Sequence, residues 1–197
     1  TIATRWGSRF SRKLARRVAE ARALFDQGAA EGALALPGLP ENLKRGISDT
    51  QARYQAVLEA LDRRDDLAAL DRVRTLLALP LSEENGYRTR AQAALPSLER
   101  KARDLAEKAV GEGVAAFRDR RWRQAREAFE KAGRAAPAHP VAEVYLQRLA
   151  ETGRDLYRDG YVLKSLDPEA ARERFDQALA CLPPGDPILQ KIREALP

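Results

Sequence analysis

Chemistry in a protein needs side chains that ionise, attack or ligate, and this chain of 197 residues is poor in the versatile ones. It has one histidine, His139, and one cysteine, Cys181. A Ser–His–Asp or Cys–His site would have to recruit His139, which precedes Pro140 at an expected helix start and has no nucleophile-elbow pattern beside it. A turn or cap role suits that residue better than catalysis. Cys181 falls late in a helix, on or near its packed face, where an inert core thiol is the default. A zinc site draws on clustered Cys and His, which one residue of each cannot supply. The acid pairs Glu83–Glu84 and Asp65–Asp66 sit at expected helix starts, where carboxylates favour the positive end of the helix dipole. Neither GxxxxGK followed by Ser or Thr nor GxGxxG occurs, so no phosphate-cradling loop is visible. These residues point away from an enzyme and to no metal or cofactor.

Charge is distributed more tellingly than its total suggests. Arg5, Arg9, Arg12, Lys13, Arg16 and Arg17 supply six positive charges before the first acid, Glu20. The net charge is +6, so the remaining 29 basic and 29 acidic residues cancel. In the same segment Trp6, Phe10, Leu14 and Val18 recur every four residues, along one helix side, with the cations on the other faces. Three readings compete. The apolar stripe docks onto the protein's own core. Or the basic amphipathic surface, Arg5 to Arg17 with Trp6 and Phe10, meets an anionic membrane or a partner. Or it binds nucleic acid, which the neutral body of the chain and the lack of any recognition motif disfavour.

The elements that must position these residues are helices. Hydrophobic residues make up 44% and charged residues 32% of the chain, a mixture that excludes a disordered polyelectrolyte and a membrane bundle. Ala, Leu, Arg and Glu dominate, and β-branched and aromatic residues are scarce, which favours helix over sheet. No run of about 18 apolar residues occurs, and no apolar stretch follows the basic start, so neither a spanning helix nor a secretory signal is present. No methionine occurs, which points to a piece of a longer or processed chain. A single cysteine fits a reducing, cytoplasmic compartment, with membrane association through a missing upstream segment as a further expectation.

Prolines and caps divide the chain. A helix over 8–30 breaks at LALPGLPEN, and a second spans 41–62. A third follows DRRDD and ends near Pro80. Ser82 is the expected N-cap of a helix through Ala94, and Pro96 starts or kinks the next, which extends to about Asp119. Helices near 121–135, 140–165, 168–182 and 187–196 follow, the last three each with a first-turn proline. Short connections imply antiparallel hairpins stacked side by side. The expected organisation is a basic amphipathic helix over 1–38, a helical hairpin region over 39–96, and two hairpins with a capping helix over 97–197.

Two stretches repeat each other. QAREAFEKAGRAAP (Gln124 to Pro137) aligns with AARERFDQALACLP (Ala170 to Pro183) at an offset of 46, placing Ala125, Phe129, Ala132 and Pro137 on Ala171, Phe175, Ala178 and Pro183. The preceding helices align at 47, Glu112–Gly113 on Asp159–Gly160, so the second hairpin turn is one residue shorter. DRRDDLAALDRVRTLLALP (Asp62 to Pro80) forms a fainter third copy against Asp119 to Pro137, with Arg72 at the aromatic position.

The spacing of Gly113, Ala125, Phe129, Ala132 and Pro137 resembles the tetratricopeptide repeat. In that family small residues let two helices approach, an aromatic fills the gap to the next hairpin, and proline ends the second helix. Ala109 and Ala116 replace its usual large first-helix residues, and the offset exceeds its period of about 34 residues, so these repeats are divergent. A shorter likeness is to the repeat segments of bacterial multidomain signalling proteins. The resemblance implies an all-α, right-handed solenoid of stacked hairpins that holds a protein or peptide without catalysis. It places the groove at Val110, Val114, Phe117 and Arg118 from one hairpin and Tyr157, Tyr161 and Lys164 from the next. The alternative is a peripheral or juxtamembrane regulatory module working through the basic N-terminus.

Overall fold

The computed structural model describes the backbone of residues 2–195 and the side chains of residues 12–195. Among them it contains nine helices and no strand: α1 (Ile2–Asp26), α2 (Ala30–Leu34), α3 (Glu41–Asp62), α4 (Asp66–Leu77), α5 (Gly86–Arg118), α6 (Trp122–Ala135), α7 (Pro140–Leu163), α8 (Pro168–Cys181) and α9 (Pro187–Ala195). The chain is all-helical, and no helix among the described residues is long and apolar enough to cross a membrane. It divides into two compact units, Thr1–Lys101 and Ala102–Pro197, with α5 contributing to both.

In the first unit, α1 starts at Ile2 rather than 8 and ends at Asp26 rather than 30. Gly28 ends it by adopting φ +81°, a left-handed conformation that glycine takes without steric cost. The short helix α2 follows, where the sequence pattern indicated no separate helix. Ala21, Ala30, Ala33, Leu39, Ile47 and Tyr87 form one buried core, so residues 1–38 and 39–96 fold together. Tyr87 anchors it, with the rings of Tyr54 and Phe25 at 5.1 and 5.8 Å.

Ser82 does not cap α5. Its hydroxyl donates to Asp26 Oδ1, and the carboxamide of fully buried Asn85 accepts from the amides of Tyr87 and Arg88 instead. The Asn85 amide group also donates to the Phe25 carbonyl and to Asp26 Oδ1, tying the end of α1 to the start of α5. An Asn immediately before the helix reaches its first free amides directly, whereas Ser82 stands a turn too early. Pro96 does not start a helix but lies inside α5, which continues through it.

The third copy has a different register from the one read off the residues. Arg64 and Arg120 both sit at φ +57° in identical turns, their amides bonding back to the carbonyls of Leu61 and Phe117. That sets the offset at 56 rather than 57. Ala69, Val73 and Leu76 then fall on Ala125, Phe129 and Ala132, and all six are buried. The aromatic position is Val73, not Arg72.

Candidate functional site

The second unit is built on one joint made twice. Residues 102–118 of α5 form a hairpin with α6, and α7 forms the next with α8. A methyl group placed on Gly113 would lie 2.6 Å from the Phe129 ring, and one on Gly160 would lie 2.8 Å from the Phe175 ring. In both hairpins the aromatic therefore rests directly on the backbone of the facing helix. Phe129 and Phe175 are 0% and 1% exposed. Two further positions trade volume between the copies. Gly153 faces Cys181 and Leu182, and the equivalent residues of the first hairpin are Ala106, Ala135 and Ala136. The second turn lacks the left-handed residue of the first: Asp167 bonds straight back to the Leu163 carbonyl and caps α8 by accepting from the Ala170 amide.

The hairpins meet through aromatics. Tyr145 of α7 stacks on Phe129 with centroids 5.0 Å apart and planes 17° from parallel. Phe117 stands edge-on to Tyr145 at 5.2 Å and to Trp122 at 5.4 Å, and the Arg148 guanidinium lies 5.4 Å over Tyr145. In the second hairpin Tyr157 packs on Phe175 at 6.0 Å and touches Tyr161 at 6.2 Å.

These contacts divide the expected groove residues. Val110 is 8% exposed and belongs to the core, and Val114 and Phe117 pack against it. Those three spend much of their apolar surface inside the protein, Phe117 against the rings of Trp122 and Tyr145. Arg118, Tyr161 and Lys164 are exposed, and Tyr157 is half-buried between Phe175 and Tyr161. The structure thus brings Tyr157 and Tyr161 together. Val162 and Leu166, at 66% and 77% exposure, join Tyr161 at 64% as apolar surface at the end of α7. Leu166 was legible in the sequence as an apolar residue immediately before the Asp167 cap, where a polar linker would be ordinary.

The N-terminal set falls partly outside the description: the side chains of Arg5, Trp6, Arg9 and Phe10 lie outside the described residues. Arg12, Lys13 and Arg16 are exposed, and Arg17 is half-buried over Gly38. Val18 packs against the first unit's core, so the stripe docks onto the protein there.

His139 occupies the N-cap position of α7 but makes no capping bond. Its Nε2 lies 3.4 Å from Glu107 Oε1, linking α7 to α5, and its Nδ1 is buried without a partner. No group of three His, Cys, Asp or Glu side chains among the described residues could hold a metal ion. Cys181 is 2% exposed. Burial pushes its thiol up from the ordinary 9.0 to about 12, with the Arg126 guanidinium pulling the other way. The unfolded thiol therefore ionises first. Stability relative to a Cys181→Ala variant is constant below pH 9.0 and falls as pH rises toward about 12. Urea midpoints of the two proteins measured from neutral pH upward check this, and parallel curves would remove burial as the cause. Compared with protein-family models, with curated proteins and with solved structures, the chain finds no match.

Proposed function

We propose that the chain is a non-catalytic protein-interaction scaffold whose residues 102–197 form a right-handed stack of tetratricopeptide-type hairpins. The joint of small residue against aromatic, made at Gly113–Phe129 and again at Gly160–Phe175, supports the repeat architecture. One observation carries the function. Tyr161, Val162 and Leu166 stand more than half exposed at the end of α7, while Phe117, Trp122 and Tyr145 are partly buried and packed against the core and one another. Large apolar side chains left in water within six residues of chain mark a contact surface rather than a packing element. Tyr157 extends that surface inward, and Lys164 adds a cation beside it. An aromatic anchor with a flanking charge is the composition of a peptide-holding site.

Selection of a random displayed peptide library on the immobilised protein tests this reading. The expected result is enrichment of a common peptide motif that the protein captures. A variant with Tyr157→Ala and Tyr161→Ala is expected to lose that capture with unchanged helical content. Capture retained by the double variant sinks the groove assignment, and a library that yields no motif sinks the scaffold.

A further inference from the structure

Helix α9 reproduces the opening of α7. At an offset of 47, Pro140, Val141 and Tyr145 fall on Pro187, Ile188 and Ile192, and Ile192 is fully buried where α9 meets α7 and α8. The α8–α9 joint is thus the counterpart of the α6–α7 joint. The two are filled differently. Phe117, Trp122 and Tyr145 close the first over Phe129. Lys164, Pro168 and Ile192 occupy the same positions in the second, so three rings are replaced by one flexible cation, one small ring and one aliphatic chain. Tyr157, standing where the first hairpin has Val110, returns part of the lost volume against Phe175.

What remains is a cavity of about 300 Å³ lined by Phe175, Lys164, Pro168, Glu169, Ala171, Arg172 and Ala195. It lies beside the exposed end of α7 described above. Among the described residues, Lys164 and Arg172 form no salt bridge there, and Glu169 is the one carboxylate in the lining. The local charge is therefore positive at a joint whose first copy is filled by a ring. We infer that this cavity receives one aromatic side chain of an acidic partner peptide, seated against Phe175 on the side where Lys164 and Pro168 replace Phe117 and Trp122. The peptide's carboxylates lie on Lys164 and Arg172, and the ring supplies the volume that the second joint lacks. This rests on the scaffold reading and names the chemistry of its partner.

Calorimetry and amide chemical shifts on the full chain test it, with a synthetic peptide of glutamates around a central phenylalanine. The expected result is binding whose shifts centre on Arg172, Phe175 and Ala195. Replacing the peptide's phenylalanine by alanine weakens it at least about tenfold, as does Lys164→Glu with Arg172→Glu. Pro168→Trp supplies from within the ring that Trp122 supplies in the first joint. That variant is expected to stop binding while keeping its helical content and melting temperature. Absence of binding, shifts centred elsewhere, binding indifferent to Pro168→Trp, or a self-association that fills the cavity overturns the inference. A library-selected peptide still held by Pro168→Trp also overturns it but leaves the scaffold standing, whereas an empty selection removes the scaffold itself.

Discussion

Gly113→Ala is expected to destabilise the protein by roughly 1–3 kcal/mol, while Gly111→Ala on the same helix stabilises it by about 0.5–1 kcal/mol. Both substitutions remove the same backbone freedom from the unfolded chain and add the same methyl group to a helix interior. They differ only in what the methyl meets. At Gly111 nothing lies within 4 Å, so the intrinsic preference of alanine for helix is realised in full. At Gly113 the methyl would come within 2.6 Å of a ring that is 0% exposed and stacked on Tyr145. The ring cannot swing aside, so the helices must part. Gly160→Ala repeats the effect against Phe175, where the Ala171 carbonyl at 3.2 Å also stands in the way. Urea titrations of the three variants decide the matter. If Gly113→Ala and Gly111→Ala stabilise alike, the joint is looser than its geometry and the repeat loses its physical basis. A second change, Phe129→Leu, is expected to relieve part of the cost of Gly113→Ala, because the two residues share one contact.

The joint was readable before any coordinates because the residues at its two ends are the ones whose size matters. A glycine inside a strongly helical stretch weakens the helix and needs a reason, and a phenylalanine sixteen residues later supplied it. Helix limits marked by Asp167–Pro168 and Asp186–Pro187 were legible for a similar reason, since cap and proline act on their own turn. The limits that went wrong depended on distant partners. Ser82 has the right chemistry for a cap, but Asp26, from another helix, takes its hydroxyl. The short helix α2 was invisible because Gly28 ends α1 by backbone geometry, which an apolar pattern does not record. The third copy was read one residue out of register because Ala, Arg and Leu recur often enough to align at 57 as easily as at 56.

Of the expected groove residues, exposure differs between the two hairpins in a way their spacing does not record. Val110 and Tyr157 hold equivalent positions, yet Val110 is buried while the larger Tyr157 side chain is only partly buried, packed on Phe175. Phe117 was assigned to the groove by the same spacing and lies in the joint instead. Nothing local to Phe117 could have shown this. Its partners Trp122 and Tyr145 are brought to it by the packing of α6 and α7, and a ring that finds two others edge-on is more stable there than in water.

The two repeat phenylalanines are expected to cost different amounts on truncation, although their residue type, burial and helix position are the same. Phe129→Ala falls near the top, and Phe175→Ala near the bottom, of the roughly 3–5 kcal/mol usual for removing a buried aromatic. The transfer part of that cost is equal at both sites. The cavity part is not. Around Phe129 the space is walled by the backbone at Gly113, by the stacked Tyr145 ring and by fully buried Ala125 and Ala132. No neighbour there has room to move in, and the hole stays empty. Phe175 already borders a cavity of about 300 Å³ whose rim carries Lys164, Glu169 and Arg172. Truncation there enlarges a space that Tyr157 can tilt into and that water can reach between polar side chains. Urea titration of the two single variants measures the difference. Equal costs would mean that the second joint is as rigid as the first. The cavity would then be a fixed packing gap, not a space that yields to an incoming ring. A larger cost at Phe129, together with loss of peptide capture only in Phe175→Ala, would tie the soft joint to the exposed end of α7.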